Sequence, residues 1–116
     1  MKKITQYLLF TLTLILSSSF VVAADSKILH LKGENGPGKG KTIVLVSGDE
    51  EYRSEESMPM LAKILSQKHG FTCKVLFAWD KDGQYIDPNN QQGVVGWEHL
   101  KSADLMLIGT RFRRPN

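Results

Sequence analysis

The sequence predicts an α/β fold built on a parallel sheet. Two short runs, Thr42–Val46 and, apart from Asp104 near its start, Ala103–Gly109, are apolar without alternation, as strands buried on both faces are. Between them lies a stretch with apolar residues at helical spacing, Met58, Leu61, Ala62 and Leu65. The connections are long enough to return the chain for parallel pairing, which gives β–α–β–α–β with right-handed crossovers.

The chain opens with Lys2 and Lys3, then an apolar stretch from Tyr7 to Val22, then Val22-Ala23-Ala24. This is the pattern of a secretory signal peptide cut before Asp25, so residues 1–24 are set apart from the fold. An uncleaved anchor fits less well, because Ser17-Ser18-Ser19 interrupts the run. Removing these residues takes away two lysines and no acid, and the net charge falls from +3 to +1. The basic balance is thus in part an export signal, and no basic stripe for nucleic acid remains. The expected location is secreted or periplasmic, with no stable membrane insertion after cleavage. The lone Cys73 has no internal disulfide partner and falls in a predicted strand, where it reads as a buried, inert thiol.

Asp25–Leu31 is read as an added edge strand or a tail, and Gly33–Lys41 (GENGPGKGK) as a Gly-rich linker. The linker ends like a P-loop, Gly40-Lys41-Thr42, but the first glycine of that motif would fall at Asn35. It also precedes a strand where a P-loop follows one. After the strand 42–46, Ser47-Gly48 leads into Asp49, Glu50, Glu51, Tyr52 and Arg53. The helix is expected over Met58–His69. Ser54 or Ser57 can cap it; with Ser57 as cap, Pro59 falls in the first turn, where N–H groups lack partners anyway. Gly70 is its left-handed terminator, and Lys68 and His69 suit its negative end.

Thr72–Ala78 is the next strand, and its one charge, Lys74, suggests a sheet edge. The long polar loop Trp79–Gly96 has turn signals at Asp82-Gly83 and at Asp87-Pro88-Asn89-Asn90. Asp80-x-Asp82-Gly83 does not match a calcium loop, whose glycine would stand at Tyr85. A short helical piece, Trp97–Ser102, turns Trp97 and Leu100 inward. The strand 103–109 follows, and then Thr110–Arg114, TRFRR. His30, His69 and His99 share no metal-ligand spacing, and no cofactor motif is present.

With the most apolar strands central and the Lys74 strand at the edge, the three parallel strands take the spatial order 2-1-3, the start of a flavodoxin-like sheet. Ligands in such sheets bind beyond the carboxyl ends of the strands at the switch point. There the loop Asp49–Arg53 meets the loop Thr110–Arg114. Asp49 and Glu50 are the candidate acid/base pair, and Tyr52, Arg53, Arg111 and Arg113 the candidate substrate-binding residues. The bland alternative is a surface salt-bridge patch. One difficulty follows. A central strand 104–108 needs a neighbour on its far side, and two helices do not cover both faces of a parallel sheet. The sequence therefore reads as the N-terminal part of a domain truncated after its third parallel strand.

At KTIVLVSGDEEYRSEESMPMLAKILSQKHGFTCKVLF, and again at IDPNNQ and ADLMLIGTRFR, the chain resembles the trehalose-utilisation (ThuA-like) family, in particular its secreted bacterial members. The resemblance runs from Gly36 to Arg114 and covers the N-terminal part of such a domain. It implies a class I glutamine amidotransferase-like fold and a role in carbohydrate catabolism, with a small-molecule carbohydrate as partner. It maps Gly48–Arg53 onto the loop after the first parallel strand, and Thr110, Arg111 and Arg113 onto the loop after the third. Many family members carry histidine in the first of these loops, where this chain has Asp49-Glu50-Glu51-Tyr52-Arg53. The amidotransferase nucleophile stands on a later strand, so Cys73 does not take that role. The alternatives to an enzyme are a non-catalytic carbohydrate-binding module and an inactive fragment.

Overall fold

A computed structural model describes residues 27–114, and the predicted signal peptide lies outside them. The described chain forms β1 (Ile28–Leu31), β2 (Thr42–Gly48), α1 (Ser54–His69), β3 (Thr72–Leu76), a 3-10 helix η1 (Trp97–Ser102) and β4 (Leu105–Thr110). The four strands make one α/β sheet in the order β1-β3-β2-β4. β2 pairs in parallel with β3 on one side and with β4 on the other, so the three parallel strands stand in the expected order.

The alternation within β2 explains its unbroken apolar run. Ile43 and Leu45 join Ala62 of α1 with Cys73, Val75 and Phe77 of β3 and the residues after it. Val44 and Val46 face the other way, against Leu76, Ala78 and Val94, and Trp97, Leu100 and Ala103 pack on that cluster. Each face of β2 therefore has its own cover, which is why it carries no polar alternate. Cys73 is fully buried, and that burial pushes its thiol pKa above the ordinary value.

Three expectations are corrected. β3 is not the edge: β1 pairs antiparallel with it, His30 opposite Lys74, and so shields the strand that Lys74 had suggested was open. The helix begins at Ser54, not Met58, which leaves Pro59 inside it. Pro59 removes one intrahelical bond, but Glu55 and Glu56 in the first turn suit the positive helix end and favour the longer helix. Neither serine caps by side chain. The N-cap is Arg53, in the left-handed region at φ 53°. Gly33–Lys41 is a packed segment as well as a link: the Gly38 N–H donates to the His69 carbonyl at the end of α1, 2.8 Å away. Gly70 ends α1 at φ 78°, as expected of a terminator.

β4 is as apolar as β2 but far less covered. It pairs with β2 alone, and Leu105, Met106 and Ile108 are 50%, 40% and 59% exposed. α1 lies over β2 and β3 and reaches β4 mainly where Met58 meets Gly109.

Candidate functional site

The carboxyl ends of β2 and β4 bring the two charged loops together. The first loop is shaped from within. Ser54, buried in the first turn of α1, turns its hydroxyl back to the strand end and accepts the N–H groups of Gly48 and Asp49, each at 2.9 Å. With both lone pairs used, its proton goes to Ser47 Oγ at 3.1 Å. Asp49, also buried, accepts the N–H groups of Glu51 and Tyr52 on Oδ1, both at 2.7 Å. This tight turn throws Glu50, Glu51 and Tyr52 outward and ends in the left-handed Arg53.

The second loop arrives from β4. Arg111 pairs with Glu51, and its guanidinium carbon lies 4.7 Å from the centre of the Phe112 ring and 6.0 Å from that of Tyr52. Phe112 is itself left-handed, at φ 54°. Arg113 turns inward, its side chain only 4% exposed. It donates to the carbonyls of Gly48, Pro88 and Asn90, the last at 2.7 Å, and pairs with Glu50 at 3.0 Å. It therefore ties three segments together: the end of β2, the Asp87–Asn90 turn and its own loop. Arg53 pairs with Glu56 one helical turn on. Thr110 pairs with Gly48 at the strand end and takes no part in these side-chain contacts.

The six sequence-predicted residues thus gather at one place, but not in the predicted roles. Asp49 is a structural acceptor for its own loop. Glu50 is held by Arg113, and Arg111 is engaged by Glu51, which sequence reading had not singled out. Arg113 is a buried brace and not an exposed binder. Two further residues emerge. Glu55, in the first turn of α1, has a buried Oε2 with no hydrogen-bond partner. Phe112 exposes an aromatic ring. The left-handed turns at Arg53 and Phe112 carried no glycine or asparagine that could have signalled them. Beside Tyr52 a shallow groove of about 410 Å³ runs along the flank of α1, with Met60, Leu61 and Ile64 in its wall.

Comparison with known proteins returns nothing to set beside this geometry: no family model, curated protein or solved structure matches the chain.

Proposed function

We propose that the chain is an exported ThuA-like protein, built from the N-terminal part of a flavodoxin-like, amidotransferase-like domain, whose loop crevice binds a carbohydrate in the service of carbohydrate catabolism. The support for family and export is the sequence pattern given above. The parallel order β3-β2-β4 agrees with the start of such a sheet, and the uncovered β4 is where further strands of the domain would pair.

One observation carries the binding reading. Residues 49–53 and 110–113 meet beyond the carboxyl ends of β2 and β4, and each arginine of the two loops, Arg53, Arg111 and Arg113, is paired with a carboxylate. Such pairs present donors and acceptors together, as sugar hydroxyls need. Arg113 holds Glu50, and the N–H groups of Glu51 and Tyr52 hold Asp49, so both carboxylates are engaged and binding is favoured over catalysis by those two. A catalytic reading rests instead on Glu55, whose buried oxygen has no partner.

Titration of the full chain with trehalose and with glucose, followed by NMR, tests the proposal, with hydrolysis of trehalose measured in parallel. Binding without turnover is the expected result. Turnover lost in Glu55→Gln but not in Asp49→Asn would move the protein to the enzyme class. No binding of either sugar would sink the carbohydrate reading.

A further inference from the structure

The aromatic pair beside Arg111 points to the kind of sugar the crevice takes. The inference rests on the carbohydrate reading above and narrows it. Phe112 is 62% exposed and Tyr52 73% exposed. A phenyl ring at a surface gains nothing from burial, and a bulky residue in the left-handed region is strained. Phe112 bears both costs at once, at φ 54°, and such strain concentrates at functional sites. The Arg111 guanidinium rests against the ring, 4.7 Å from its centre, and Glu51 holds that guanidinium in turn. The ring is thus steadied by Arg111 while most of it stays open to solvent.

The charges of the crevice bear on the ligand. The cations of Arg53, Arg111 and Arg113 are already matched by Glu56, Glu51 and Glu50. To reach any of those three guanidinium groups, an anionic ligand would have to displace its carboxylate; Arg114, exposed at the end of the loop, lies outside these pairs. A neutral sugar would displace no carboxylate. Its C–H face can stack on an aromatic ring, whose face is electron-rich, while its hydroxyls reach the polar groups at the ring edge.

We propose that Phe112, with Tyr52 near the same guanidinium, is a stacking platform for the ring of an uncharged sugar, and that the Arg111–Glu51 pair contacts its hydroxyls. The platform selects neutral sugars over phosphorylated ones.

The experiment is saturation-transfer NMR on the full chain with glucose, trehalose and glucose 6-phosphate. Transfer to the ring C–H protons of the neutral sugars is expected, with glucose 6-phosphate bound no tighter than glucose. Phe112→Asn, a residue suited to the left-handed turn, keeps the fold by circular dichroism and weakens neutral-sugar binding at least ten-fold. Phe112→Trp keeps binding. Neutral sugars binding equally well to Phe112→Asn would overturn the platform while leaving the carbohydrate reading intact. So would markedly tighter binding of glucose 6-phosphate. If no sugar binds the folded wild-type chain, both fall together.

Discussion

Arg113 donates a hydrogen bond from its guanidinium to the carbonyl of Gly48, so the loop that leaves β4 is fastened to the last residue of β2. The same side chain holds the Pro88 and Asn90 carbonyls and the Glu50 carboxylate. A buried guanidinium with four acceptors is a joint between loops, and its loss strands those acceptors.

Arg113→Ala should therefore cost about 2–4 kcal/mol, since partners of a buried charge are left uncompensated. Arg113→Lys should rescue little, because a point-like ammonium cannot span the same fork. Urea denaturation measures both. A cost below about 0.5 kcal/mol for the alanine variant, the level of an ordinary surface change, would refute the joint.

Asp49 gives a second test, which separates structure from chemistry. Its Oδ1 accepts two backbone N–H groups, a task that an amide oxygen can also perform. Asp49→Asn should stay close to wild type in stability and in sugar binding, and Asp49→Ala should lose about 1–3 kcal/mol. If the wild-type chain turns sugar over and a stable Asp49→Asn variant does not, the acid/base role is restored.

Acid should loosen the junction between β2 and β4 at its other end. The Asp104 carboxylate accepts the Thr42 N–H at 2.7 Å and the Lys41 ammonium at 3.3 Å, and these hold its pKa below the usual carboxylate value, the backbone bond first. A depressed folded value means the unfolded chain binds the proton more readily. This contribution is present above about pH 4 and fades as pH falls through the lower folded value. Asp80 is lowered in the same direction, chiefly by the Tyr85 N–H, and adds to the same window. Asp104→Asn should flatten the acid limb of a stability–pH curve. An unchanged limb would show that the carboxylate does not report on folding.

The exposed strand β4 predicts behaviour in solution. Its far edge is unpaired among the described residues, and Ile108 is 59% exposed. A flat apolar edge invites association, so the chain on its own should be poorly soluble or partly unfolded. Ile108→Lys should raise the concentration at which light scattering first appears. Equal scattering from both chains, or a sharp reversible melt of a wild-type monomer, would contradict this.

Local pattern alone carried much of the fold. Ile43–Val46 contains no side chain suited to water, so burial on both faces followed from composition, and Gly70 marked the end of α1 because only glycine turns left-handed at little cost. Crossover length made the pairing parallel, and the order β3-β2-β4 was read from strand composition, with the Lys74 strand placed outermost of the three. It was enough to bring Asp49–Arg53 and Thr110–Arg114 to one place. What each side chain does there was decided by tertiary structure. Sequence names the charges but not their partners, and the choice between Arg111 and Arg113 for Glu50 or Glu51 depends on which way each turn throws its side chains. Those turns hang on bonds outside the strands and helix: Arg113 on carbonyls far back in the chain, and Ser54 on the nearby end of β2. The helix start moved for the same reason, since the Ser54 hydroxyl serves the strand end and not a helix cap. Of the two readings of Asp25–Leu31, edge strand or tail, the tertiary structure chose the edge strand, because Leu29 and Leu31 pack on the core beneath α1.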